Sequence, residues 1–137
     1  MRNVLSILVI ILLTFNFNIH SQQKKINFSS KESKGIKYNK RKLLVLWNKV
    51  VFTHESSLMK CDSAIFERSN NSFIAYKNVE INENDSLKIY GDSIHYYGDI
   101  QKAYIYGNVS VKSNKINLNT PYLIYDKKTK IAYYTNG

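Results

Sequence analysis

One phrase recurs along this chain at a nearly constant interval. The dipeptides Asn48-Lys49, Lys77-Asn78 and Gly107-Asn108, each followed by Val and set in a strand-like apolar context, lie 29 and 30 residues apart. A fixed period of this length means that one supersecondary unit is stacked on copies of itself, which constrains the fold more than any single motif does. The units align as "CDSAIFERSNNSFIAYKNVEI" (Cys61 to Ile81), "GDSIHYYGDIQKAYIYGNVSV" (Gly91 to Val111) and "TPYLIYDKKTKIAYYTNG" (Thr120 to Gly137), preceded by the half unit "LLVLWNKVVF" from Leu43. Each reads as two strands joined by a polar turn, "RSNN", "YGDIQ" or "DKKT". With a single Pro and no helical apolar stripe, the pattern predicts an all-β fold.

Alternation within a strand sends every second side chain to one face. The inward set of the first unit is then Ala64, Phe66, Phe73, Ala75, Val79 and Ile81, and that of the second is Ile94, Tyr96, Ala103, Ile105, Val109 and Val111. Leu123, Tyr125, Ala132 and Tyr134 follow in the third, and Leu44, Leu46, Val50 and Phe52 belong to the leading half unit. This column is apolar in every unit, whereas the opposite face is mixed, as a half-wet outer face should be. Gly107 and Asn108 sit where a strand must kink, because Gly accepts backbone angles that branched residues refuse and Asn tolerates the left-handed region. Kinked strands convert a flat stack into a V-shaped trough. Its expected lining is Phe52, Phe66, Phe73, Val79, Ile81, Ile94, Tyr96, Ile105, Val109, Val111, Leu123 and Tyr125.

The ends of the chain have their own character. Arg2 precedes an apolar run from Val4 to Leu13 and a polar exit, the pattern of a signal peptide over residues 1–22; the run is nearer a dozen residues than the about 20 that spanning requires. Residues 23–42 are rich in Ser, Lys and Asn and read as a basic flexible lead, leaving 43–137 as the folded domain. Of the net charge of +10, most comes from residues 24–49, with nine Lys or Arg against Glu32; residues 50–137 carry ten basic and nine acidic groups. A body so balanced is not a nucleic-acid binder. The final unit stops at Gly137, where the preceding one continues into a further half strand. That reads either as an unpaired edge open to strand addition or as a truncated piece of a longer repeat protein.

Catalytic and metal chemistry find little support. Cys61 is the only cysteine, so no intrachain disulfide forms, and it reads as a small half-buried residue. The pairs Asp62-Ser63, Asp85-Ser86 and Asp92-Ser93 recur with the architecture, which assigns them to strand entry and turns and not to a nucleophile. His54 and His95 lack partners at ligand spacing. No catalytic residue, metal site or cofactor is expected.

The spaced pattern of Gly107, Asn108 and Val109, with Asp62, Ser63 and Phe66, Asp92, Ser93 and Tyr96, and Leu123, Tyr125 and Asp126, resembles the OstA-like family. This is the organic solvent tolerance N-terminal domain shared by the LptA and LptD lipopolysaccharide transport proteins. The chain departs from the family pattern at Lys77, which replaces a glycine, and at Asn48-Lys49, which stands where Gly-Asn is expected. The resemblance implies a twisted antiparallel β-jellyroll in the periplasm, associated with the outer membrane, that carries lipopolysaccharide acyl chains in its trough and joins end to end with itself or with other transport components. A structural scaffold whose inner column is a closed, dry core is the second reading.

Overall fold

From Leu43 onward the predicted alternation becomes a meander of long strands. The structure, a computed structural model, describes residues 24–135; the expected signal peptide lies outside the described residues. Nine strands follow one another: β1 (Asn27–Ser29), β2 (Glu32–Tyr38), β3 (Arg41–His54), β4 (Ser57–Glu67), β5 (Ser72–Glu83), β6 (Leu87–Tyr97), β7 (Lys102–Ser113), β8 (Asn117–Asp126) and β9 (Ile131–Tyr134). From β3 to β9 each pairs antiparallel with its chain neighbour, while β1 and β2 both lie against β3. The predicted all-β stack of bent hairpins is present.

Each bend is a β-bulge carried by an odd-numbered strand. Between Trp47 and Val50 on β3 the partner β4 advances only from Ser63 to Cys61, so one extra residue is inserted. The same shift falls at Tyr76/Val79 on β5 and at Tyr106/Val109 on β7. The inserted pairs all take the left-handed conformation: Asn48 and Lys49 (φ 63° and 59°), Lys77 and Asn78 (62° and 49°), Gly107 and Asn108 (76° and 46°). Lys77 and Lys49, departures from the glycine pattern in sequence, therefore adopt the backbone a glycine would take more easily. An amide–carboxylate bond accompanies each bulge. Asn78 Nδ2 donates to Asp62 Oδ2 and Asn108 Nδ2 to Asp92 Oδ2, both at 2.8 Å, and Asn48 Nδ2 donates to Glu32 Oε1 at 3.2 Å. Asp62 and Asp92 of the Asp-Ser pairs are thus bulge anchors, whereas Asp85 sits in the β5–β6 turn and bonds Asn82.

The bulges divide the sheet into two leaves. The first leaf holds residues 41–47, 63–67, 72–76, 93–97, 102–106, 122–126 and 131–134, with β2 at its edge. The second holds 27–29, 50–54, 57–60, 79–83, 87–90, 109–113 and 117–120. Folded about the bulge line, the leaves bring their apolar faces together.

Within residues 23–42, expected as a flexible lead, the described residues hold instead the first bent strand, β1 and β2. β1 pairs with Phe52 and its neighbours on one leaf, and β2 pairs with residues 41–47 on the other. The Lys31 N–H donates to the Asn48 carbonyl at 2.9 Å across the bend. A two-residue hairpin turn at Asn39-Lys40, both at positive φ, leads into β3. The expectation failed because every residue of β2 is exposed, so the strand carries no alternating apolar signal. At the other edge, Ala132 and Tyr134 were expected inward but are exposed, since among the described residues β9 is the last strand of the sheet.

Candidate functional site

All twelve residues expected to line the trough lie between the leaves, and none exposes more than 4% of its surface. They form a packed column and not an open channel. Phe66 lies 5.2 Å from Phe28 and 6.0 Å from Phe52, ring centre to ring centre. Phe52, on one leaf, stacks on Phe73 of the other at 3.8 Å and 4°. Phe73 in turn lies 5.4 Å from Tyr96. Aromatic pairs of this kind add about 0.5–1.5 kcal/mol each beyond area burial, so the column is firmly closed from β3 to β6. Ile81, Ile94, Ile105, Val79, Val109 and Leu123 continue it toward β8.

The column opens at its two ends. Beside β3 and β4 a cavity of about 920 Å³ is floored by Leu43, Leu44 and Phe66 and rimmed by Lys40, Lys42 and Arg68. Arg41, on the same rim, is committed to Glu67: its Nε donates to Oε1 at 2.8 Å and its second nitrogen to Oε2. This guanidinium holds the Glu67 carboxyl below its ordinary value. The Arg68 guanidinium stands over the Phe66 ring at 5.8 Å, close enough for a cation–π attraction. At the far end, a cavity of about 520 Å³ is lined by Ile89, Val111, Leu118 and Tyr125, with Lys115 and Lys130 beside them. Phe66 therefore belongs to one mouth, Val111 and Tyr125 to the other, and the remaining nine sequence-derived residues to the sealed column between.

Polar clamps hold the free tips of the leaves together, and sequence reasoning missed them. His54 is 2% exposed. Its Nε2 donates to the Lys24 carbonyl at 2.9 Å, because a carbonyl only accepts, and its Nδ1 therefore accepts from the Tyr96 hydroxyl at 2.7 Å. Burial, helped by the Lys127 ammonium, pushes His54 below its ordinary value and keeps it neutral near pH 7. Lys127 reaches from the β8–β9 turn to the His54 carbonyl at 2.8 Å and to Glu55 at 3.3 Å. A second clamp centres on Asn71. It accepts the Ile26 N–H on Oδ1 and the Gly98 N–H on its carbonyl, and donates to Asp99, at 2.9, 2.8 and 2.9 Å. Ser57 bonds to buried Glu83. His54, which lacks a partner at ligand spacing in the sequence, is thus a structural hinge pin, and only the partner residues, scattered from 24 to 127, identify it as one.

Cys61 is buried, and burial together with neighbouring Asp62 pushes its thiol up to about 12, the behaviour of a core residue. Among the described residues no group of three or more His, Cys, Asp or Glu is placed to hold a metal ion. No described helix is long and apolar enough to cross a membrane.

A bulge-folded antiparallel sheet closed over a lengthwise apolar core, with a cationic rim at one mouth, defines the chain as a β-jellyroll of the repeat type. The chain belongs to the OstA-like protein family, whose sequence pattern matches residues 14–137. The same fold is found in the crystal structure of LptH, described as the LptA homologous periplasmic component of the conserved lipopolysaccharide transport device from Pseudomonas aeruginosa. The similarity has a TM-score of 0.71 at 14% identity and covers 83% of this chain and 84% of that one. No curated protein sequence matches the chain.

Proposed function

We propose that this chain is a periplasmic lipopolysaccharide transport module that shelters lipid acyl chains between its leaves on the way from inner to outer membrane. The observation that carries the reading is the single apolar column, continuous from β3 to β8 and open at both ends, in a member of the OstA-like family. Physical chemistry supplies the need: exposing an acyl chain to water costs about 0.8 kcal/mol per methylene, hence on the order of 10 kcal/mol for one twelve-carbon chain. Lys40, Lys42 and Arg68 at the β3–β4 mouth suit the phosphates of the lipid head, as solvated charges contributing little each. The partners are lipid A acyl chains, a further copy joined end to end and other transport components. The role is carriage without catalysis.

A photo-crosslinking amino acid placed at Tyr125, in the mouth, and at Ile105, in the column, tests the proposal. Adducts with lipopolysaccharide at both are expected. Adducts only at outward-facing Tyr104 would reject it.

One observation favours the second reading, a scaffold within an outer-membrane assembly. The Phe52–Phe73 stack closes the column just behind the β3–β4 mouth, so the column is dry as it stands. Under that reading delipidated protein takes up no apolar dye, whereas the transport reading requires uptake that displaces the stack.

A further inference from the structure

The two leaves differ sharply on their outer faces. On the second leaf the outward rows run Val51, Lys60, Glu80, Tyr90, Ser110, Asn119 and Thr53, Leu58, Asn82, Lys88, Lys112, Asn117, largely polar or charged. On the first leaf the row beside the bulges reads Trp47, Ser63, Tyr76, Ser93, Tyr106, Tyr122, and the next reads Val45, Ile65, Ile74, His95, Tyr104, Ile124, Tyr133. From β3 to β9 neither of these two rows contains a Lys, Arg, Asp or Glu; on β2, at the edge of the leaf, they end in Glu32 and Lys34, and Trp47 Nε1 donates to Glu32 Oε2 at 2.8 Å. Tyr76, Tyr106 and Tyr133 expose 41%, 46% and 53% of their surface. Contacts along the face hold its rings in place: Tyr97 on Tyr104 at 5.7 Å, edge to face, and Tyr106 on Tyr122 at 5.0 Å.

We infer that this face binds the same face of a second copy, making a two-fold dimer in which the first leaves pack as the sheets of a β-sandwich. Three features select that occupant. The face spans seven strands about 4.8 Å apart and about five residues at about 3.3 Å, so it covers about 500 Å² in projection and more in accessible area, near the about 800 Å² per partner of a stable interface. Its relief matches itself. The rings of Trp47, Tyr76 and Tyr106 rise on alternate strands with Ser63 and Ser93 between, so a copy rotated by half a turn offers rings to hollows of equal spacing. From β3 to β9 the two rows nearest the bulges carry no formal charge, Glu32 and Lys34 at their β2 end are of opposite sign, and in the third row Lys102 is paired with Asp126, so two chains of net charge +10 meet there without apposing unpaired cations at the centre. A lipid surface fits worse, because His95, the serines and the tyrosine hydroxyls in mid-face would lose water and gain no partner. The inference is independent of the lipid carriage proposed above.

Sedimentation equilibrium of the purified chain against concentration is the test, with folding of each variant checked by far-ultraviolet circular dichroism. A dimer is expected, with Tyr76→Glu/Tyr106→Glu raising the dissociation constant at least tenfold. Ser93→Arg, which fills one hollow while leaving the rings, should do the same. Lys37→Pro, which removes an N–H pointing away from β3 and so blocks the outer edge of β2 against end-to-end pairing, should leave the dimer intact. A monomer at every concentration, dissociation by the edge variant but not by the face variants, or a monomer that co-sediments with phospholipid vesicles through this face would each overturn the inference.

Discussion

The bulges make a paired prediction in which the two substitutions act in opposite directions. Gly107 has φ +76°, and a Cβ there would lie 2.4 Å from Asp92 Oδ2 and 3.0 Å from its Cβ. Forcing a non-glycine residue into the left-handed region costs about 1–2 kcal/mol, and alanine returns about 0.5–1 kcal/mol by restricting the unfolded chain, a net loss of about 0.5–1 kcal/mol. Displacing Asp92 adds a few tenths and no more, because one unit earlier Asp62 keeps the equivalent 2.8 Å bond to Asn78 beside Lys77. Gly107→Ala should therefore destabilise by about 1–1.5 kcal/mol. Lys77→Gly runs the same backbone terms in reverse and should stabilise by about 0.5–1 kcal/mol, a rise of about 2–4 °C in Tm for a domain of this size. Urea unfolding followed by Trp47 fluorescence reads both. If Lys77→Gly lowers stability, or Gly107→Ala leaves it unchanged, the bulge pairs are not held left-handed and the folding of the sheet needs another cause.

Three further outcomes follow from the core and its clamps. Phe73→Ala removes the ring stacked on Phe52 and should cost about 3–5 kcal/mol in urea unfolding; a loss under about 1 kcal/mol would mean a loosely filled column. Burial holds both His54 and His95 below their ordinary value, so the unfolded chain binds more protons as the pH drops below about 6.5. Stability should be full above that pH and decline below it, and His54→Gln should shallow the decline while His95 preserves the remainder; an unchanged slope would refute the role of His54. Cys61, pushed up to about 12, should resist Ellman's reagent at pH 8 in the folded protein and react at once in denaturant.

The inward column was legible because strand alternation and the repeat reinforce each other: fixing Phe66 and Phe73 in one unit fixes Tyr96 and Ala103 in the next. The bend was legible at Gly107-Asn108 and survived two units in which lysine takes a left-handed position. β2 was not legible, since an edge strand wet on both faces looks like a linker in composition. Only Asn39-Lys40, a two-residue turn ahead of "LLVLW", hinted at a hairpin. The clamps were illegible for a different reason. His54, Asn71 and Lys127 owe their roles to partners 27 to 73 residues away, brought close only by the fold.

That folding also decides how a packed column would serve the proposed carriage. The proposed cargo does not enter a standing void, since the leaves already meet at the Phe52–Phe73 stack. Parting them exposes ring surface that the arriving acyl chain covers again, so the exchange is close to neutral and the about 10 kcal/mol cost of bare lipid is avoided without a deep well that would trap it. The clamps then set the threshold. The Lys127 ammonium donating to the His54 carbonyl and the Ile26 N–H donating to Asn71 are hydrogen bonds at the leaf tips, opposite the bulge line, which any separation of the leaves would have to break. Replacing Lys127 with Met keeps its stem and deletes its bonds, so dye uptake by delipidated protein should quicken while the equilibrium uptake changes little. Uptake as slow as in the unaltered chain would place the gate elsewhere, at the Phe52–Phe73 stack itself.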